Sequence, residues 1–129
     1  MLSLNIGTSG NFLECRNTDS SAYMRNMLMG ISECVGEALE YADTVPVELK
    51  KVMTNNYNLG ALEALSALLL LPEGKVFTDN VATISHAFSA DNIINLVSYC
   101  KVASVKKGDR LLLVGSGIRT WGSIVIEKI

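Results

Sequence analysis

With 129 residues, 49% of them hydrophobic and 19% charged, the chain has room for one core and not for two domains. Its 11 Lys and Arg against 13 Asp and Glu leave a net charge of -2, which gives no basic field to hold a nucleic acid or an anionic membrane. The mean hydropathy is +0.29, yet the longest apolar run, Leu65 to Leu71, falls far short of the ~20 residues that cross a bilayer, so some apolar surface needs a cover.

Leu2, Leu4 and Ile6 alternate with polar residues, Thr8-Ser9-Gly10-Asn11 supplies turn chemistry, and Phe12 to Arg16 alternates again, which predicts a β-hairpin. Asn17 to Ser21 is rich in helix-capping residues and opens a helix with Met24, Leu28, Ile31, Val35 and Leu39 on one line. Met27, Cys34 and Tyr41 form a second line, so the helix is expected to be covered on two sides until Thr44-Val45-Pro46 ends it. Val47 to Lys51 fits one helical turn, and Val52-Met53-Thr54 a short buried strand running into Asn55-Asn56-Tyr57-Asn58. The next helix carries Leu59, Leu62, Leu65, Leu68 and Leu69 toward the core and stops at Pro72 and Gly74. Lys75-Val76-Phe77 reads as a brief strand, and Ser89 to Lys101 as a third helix with Ile93, Leu96, Val97 and Cys100 inward. Arg110 to Val114 and Ser123 to Ile126 are strands flanking a glycine-rich connection. This order implies an α/β layer with a mixed sheet.

No export signal is visible at Met1, and the expected location is cytoplasmic. Cys15, Cys34 and Cys100 are odd in number and widely spaced, so they read as reduced thiols and not as a disulfide frame or a metal site. Chemistry is expected where a strand meets a helix, because helix N-termini offer unpaired N–H groups. Three such junctions stand out: Asn55 to Asn58, Ser85 to Asp91, and Gly115-Ser116-Gly117. His86 is the sole histidine and the one candidate for general-base work near neutral pH, with Asp91 either orienting it or complementing a helix dipole. The dinucleotide and phosphate-loop glycine patterns are absent, so nucleotide binding is not supported.

The run Lys107-Gly108-Asp109-Arg110, then Leu111 to Val114, Gly115-Ser116-Gly117 and Thr120-Trp121-Gly122 closely resembles the last segment of ketoacyl-acyl-carrier-protein synthase III enzymes. Ser85 to Leu96 is similar to the segment holding that family's active-site asparagine, and Thr54 to Asn58 to its proline-histidine-glutamine-alanine-asparagine motif. The resemblance spans essentially the whole chain, read as a single domain over residues 1–129, but only the C-terminal half of a thiolase-type fold. It implies a mixed five-stranded sheet covered by helices. Two departures matter: Asn55 stands where the family has its catalytic histidine, and His86 where it has asparagine. Thiolases are similar in carrying asparagine first and histidine second, and Ser85 replaces a usual glycine. The family's nucleophilic cysteine belongs to the missing half, and none of the three cysteines here sits at a helix start that would lower its pKa.

The resemblance implies a subunit of a heteromeric acyltransferase or condensing enzyme, inactive alone, whose partner supplies the cysteine. In it His86 and Asp91 are the general base and its orienter, and Asn55 is the third catalytic residue. Asn56, Ser116 and Gly117 bind substrate, with the Gly117 N–H in the oxyanion hole, a donor worth about 3 kcal/mol. Acyl-CoA or an acyl-carrier-protein thioester is the substrate, and no cofactor or metal is implied. Acyl carrier protein is a further partner, and heterodimers assemble into a higher oligomer. The first two helices are the expected face toward the other half. The alternative is a non-catalytic scaffold subunit that completes the fold of an active partner.

Overall fold

A computed structural model describes residues 2–8, as backbone only, and residues 19–117 and 120–129. Strands β1 (Leu2–Thr8), β2 (Lys51–Thr54), β3 (Arg110–Ser116) and β4 (Thr120–Glu127) form one mixed sheet in the order β1-β4-β3-β2. β2 runs parallel to β3 with Val52 opposite Leu112, and β4 is antiparallel to both β3 and β1. Among the described residues the sheet therefore has four strands, where five were expected. Lys75–Phe77 contributes only an isolated parallel bridge, Val76 to Val52, because Pro72 and Gly74 leave it too short to extend a ladder. The second arm of the expected hairpin, Phe12–Arg16, lies outside the described residues.

Helix α1 (Ser20–Tyr41) starts at Asp19, whose carboxylate accepts the N–H groups of Ser21 and Ala22, as an N-cap should. It buries Gly30, Ile31, Cys34, Val35, Ala38 and Leu39, whereas Met24 and Tyr41, expected inward, are exposed. The reason is a close crossing over β4. A Cβ on Gly30 would fall 2.1 Å from the Trp121 ring, so the missing side chain is what lets the indole pack against the helix. Helix α2 (Leu59–Leu68), capped by Asn58 through the Ala61 N–H, joins α1 on the same face. It turns Leu62 and Leu65 inward, with Leu69 just beyond its end; Leu59 and Leu68 lie outside. These two helices bury their apolar lines against the chain's own sheet, through Val52, Leu112, Val114, Trp121 and Val125.

The other sheet face holds a smaller core of Met53, Phe77, Tyr99, Leu111 and Leu113 under helix α3 (Asp91–Val102). Here the expected orientation is reversed. Asp91, Asn95 and Tyr99 face the sheet, and Ile93, Val97 and Cys100 point outward; of the expected inward set only Leu96 packs on the core. Asp91 and Asn95 won the inside because each finds hydrogen-bond partners there, which offsets the cost of burying it, and Tyr99 meets the Phe77 ring edge-on. No described helix is long and apolar enough to cross a membrane.

Candidate active site

The three junctions singled out from the sequence meet in space. β2 and β3 are parallel neighbours, so Asn55, the residue after β2, lies beside the C-terminal end of β3 at Ser116, and the loop entering α3 folds across them. The carboxyl ends of parallel strands are where such sheets bind ligands.

Asp91 organises this corner. It is fully buried, and its carboxylate accepts from His86 Nδ1 (2.5 Å), Ala87 N–H (2.7 Å) and Asn56 N–H (3.0 Å), with longer contacts from both asparagine amides at 3.4 Å. Burial alone would raise this carboxyl; the N–H groups of Ala87 and Asn56, then His86 and Asn55, hold it below the usual carboxylate range. A carboxylate only accepts, so in the neutral form of the ring Nδ1 carries the proton and Nε2 the lone pair. The histidine side chain is 35% exposed, between the rings of Phe88 (4.6 Å) and Tyr57 (5.4 Å). The loop reaches this arrangement through two left-handed residues, Ser85 (φ 62°) and Phe88 (φ 55°), on either side of the histidine.

Asn55 is buried and its amide is committed. Nδ2 donates to the Phe88 carbonyl (3.0 Å) and toward Asp91, and Oδ1 accepts the Ser116 N–H (2.9 Å), tying three loops together. Asn56 is equally engaged: Nδ2 donates to the Ser85 carbonyl, and Oδ1 accepts from Asn95 Nδ2 (2.8 Å). Donation from either amide to a bound carbonyl would require breaking these bonds. The Gly117 N–H, expected in the oxyanion hole, donates to the Thr120 carbonyl at 2.7 Å. Ser116 does sit at the site, its Oγ 2.5 Å from Tyr57 Oη; burial raises the Tyr57 hydroxyl pKa, against the Ser116 bond.

Sequence reading missed Asn80 and Asn95. Asn95 donates to the Thr54 carbonyl (2.9 Å) and to Asn56, while accepting from Asn80 (2.8 Å), which also reaches Ser98. The signal was there: Asn95 lies one helical turn after Asp91, on the same face of the helix. Two cavities adjoin His86, Phe88, Ser116 and Gly117. One, of about 540 Å³, is apolar and runs between α1 and α2 along Met24, Met27 and Leu28; the other, of about 560 Å³, is more polar, with Asn92 and Thr120. Among the described cysteines, Cys34 is buried beside Ser123 (3.5 Å) and Cys100 lies on the outer side of α3; neither lines these cavities. Among the described residues no cluster of His, Cys, Asp and Glu could hold a metal ion.

A mixed sheet with two helices on one face and one on the other, its polar corner at the parallel strand ends, matches the thiolase-type α/β fold of solved synthase III enzymes. Residues 39–128 match the family model of the 3-oxoacyl-[acyl-carrier-protein] synthase III C-terminal domain, and the chain belongs to that family. It is 27% identical to the β-ketoacyl-[acyl-carrier-protein] synthase III of Aquifex aeolicus, over 98% of this chain and 44% of that protein. The crystal structure of the Aquifex aeolicus enzyme superposes with a TM-score of 0.81 at 24% identity, covering 98% of this chain and 44% of that one. ChlB3, an acyltransferase, superposes at 0.85 and 15% identity, covering 98% and 45%. A point variant of OleA from Xanthomonas campestris superposes at 0.82 and 15%, covering 98% and 37%. The chain thus spans less than half the length of the relatives it matches.

Proposed function

We propose that this chain is the C-terminal-half subunit of a split synthase III-like acyltransferase or condensing enzyme, with His86 as general base and a partner chain supplying the nucleophilic cysteine. The observation that carries this reading is the His86–Asp91 pair, held at 2.5 Å with Nε2 turned away from the carboxylate beside two cavities. Nε2 takes the thiol proton of the partner's cysteine, and the thiolate attacks the thioester carbonyl of an acyl-CoA or acyl-carrier protein. The carbonyl–sulfur bond of the donor then breaks, and its thiol leaves with the proton from the imidazolium. A new thioester remains on the cysteine, and His86 is ready to deprotonate the acceptor. Asp91 positions the imidazole; Asn55 and Asn56 act one step further out by fixing Asp91 and the loops. With the Gly117 N–H committed, oxyanion donors are assigned to the partner. The apolar cavity between α1 and α2 fits the donor's aliphatic portion.

The test is acyl transfer from labelled acyl-CoA to the cysteine of a co-purified N-terminal-half chain. His86→Ala is expected to lower the acylation rate by about 10²–10⁴-fold. Unchanged acylation in that variant would overturn the catalytic role and favour a scaffold subunit that only completes its partner's fold.

A further inference from the structure

Tyr57 stands where the motif that residues 54–58 resemble carries alanine, so this chain adds a ring to the loop beside its imidazole. The ring has one fixed place. Its hydroxyl is held by Ser116 at the end of β3, 2.5 Å from Oγ and 3.3 Å from the carbonyl, and its backbone N–H donates to the Asn55 carbonyl at 2.8 Å. The ring centroid lies 5.4 Å from that of His86, and the Phe88 ring lies at 4.6 Å. A methylene inserted between two rings needs about 4 Å on each side, roughly 8 Å in all, so neither gap admits one. A reacting group therefore approaches the imidazole along its edge, past Tyr57. Further along the same cavity α2 presents Ala61 and Ala64, which have no side chain beyond Cβ. The cavity is thus built narrow at the imidazole and wider away from it.

We infer that Tyr57 is a specificity-determining residue, whose ring confines the donor's acyl chain next to the thioester carbonyl and restricts the enzyme to acyl groups unbranched at that carbon. This rests on the proposed reading, in which the apolar cavity takes the donor's aliphatic portion and His86 serves the acyl transfer. The Tyr57 hydroxyl is engaged with Ser116, so the residue turns hydrocarbon toward the cavity. A branch beside the carbonyl meets this ring. Moving the ring aside means breaking the Ser116 bond and shifting a loop already tied through Asn55 to Phe88 and Asp91. A branch at the far end of the chain lies against Ala61 and Ala64 instead. One carbon too many in a fitted apolar pocket is worth about 10–200-fold in discrimination, so a tyrosine in place of alanine is enough to select the donor.

The complex with the co-purified N-terminal-half chain is offered four acyl-CoA donors, and acylation of the partner's cysteine is timed by mass spectrometry. Butanoyl-CoA is expected to react at least about tenfold faster than 2-methylpropanoyl-CoA, whereas hexanoyl-CoA and 5-methylhexanoyl-CoA differ by less than about threefold. Tyr57→Ala is expected to bring the first ratio below about threefold and to leave the second as it is, a change that a general loss of activity does not produce. Tyr57→Phe keeps the ring and is expected to retain the native first ratio. Where the alanine variant loses its native circular dichroism, Tyr57→Leu, which keeps an apolar side chain against the core, carries the same expectation. If the native complex takes both four-carbon donors equally, or if a folded alanine or leucine variant keeps the native ratio, Tyr57 does not set the specificity while the functional reading stands. Equal relaxation in Tyr57→Phe would place the selection in the Ser116 bond and not in the ring, and would overturn the inference. If no donor acylates the native complex, the functional reading fails and the role of Tyr57 falls with it.

Discussion

His86 Nδ1 lies 2.5 Å from Asp91 Oδ2, and the same buried carboxylate receives the backbone N–H groups of Ala87 and Asn56. One side chain thus fixes both the tautomer of the imidazole and the path of the loop that carries it. Asp91→Asn keeps the shape but turns an amide toward these donors. The expected loss is about 2–4 kcal/mol of folding stability, from buried N–H groups left poorly paired. Urea unfolding followed by Trp121 fluorescence reads it directly, Trp121 being the only tryptophan. Because His86 is also the only histidine, its ¹⁵N shifts report the tautomer without assignment: Nδ1–H in the native chain, and loss of that fixed state in the variant. A variant that unfolds at the same urea concentration as the native chain would show that Asp91 is not the organiser.

The same carboxylate sets an acid limit. Its native pKa lies below the usual value because its hydrogen-bond donors outweigh desolvation, so the folded state holds the proton less tightly than the unfolded chain does. The resulting stability is complete above the unfolded carboxyl value of about 3.9 and is lost as pH falls through the lower native one. The stability difference between the native chain and Asp91→Asn should therefore hold near pH 5 and shrink as the pH falls below about 4. A difference that grew on acidification would reverse the sign of the argument.

Much of this architecture is legible in the sequence, and what is not has definite causes. Strand and helix positions follow from the alternation at Leu2 to Ile6, the caps at Asp19 and Asn58, and the stop at Pro72 and Gly74. The three polar junctions are visible as interruptions of apolar patterns, and they converge as parallel strand ends require. Helix α3 is where the hydrophobic pattern misleads, because periodicity assumes that aliphatic residues face the chain's own core. Only its hydrogen-bond partners reveal that Asn95 is the inner residue. The commitment of Asn55 and Gly117 is equally invisible beforehand, since it depends on Ser116 and Thr120 meeting them across the sheet end and the turn.

Ser85 occupies a left-handed conformation, φ 62°, that costs a non-glycine residue roughly 1–2 kcal/mol. Its carbonyl accepts from Asn56 Nδ2, so the conformation is fixed by the site and is not relaxed by a change of side chain. Ser85→Gly relieves the backbone but adds freedom to the unfolded chain, and stability should change by less than about 0.5 kcal/mol. Ser85→Val should cost about 1–2 kcal/mol, because a β-branched side chain tolerates positive φ poorly. Equal thermal unfolding of the two variants would mean that the loop relaxes around the substitution.

Gly30 and Trp121 provide the test of the main core. With a Cβ placed 2.1 Å from Trp121 Cζ2 and 2.2 Å from Cε2, Gly30→Ala cannot be absorbed by a flexible side-chain end, since the obstacle is a rigid ring system. Either α1 lifts from β4 or the indole turns out of its slot. Overpacking of this kind costs about 1–3 kcal/mol. Gly36, also in α1, has nothing within 4 Å of its Cβ position and serves as the control. There alanine should be neutral or stabilising by up to about 1 kcal/mol through helix propensity. Trp121 emission distinguishes the cases: a shift toward solvent-exposed indole is expected in Gly30→Ala and none in Gly36→Ala. Matching spectra and unfolding midpoints for the two variants would remove the close crossing of α1 over β4 from the account of the fold.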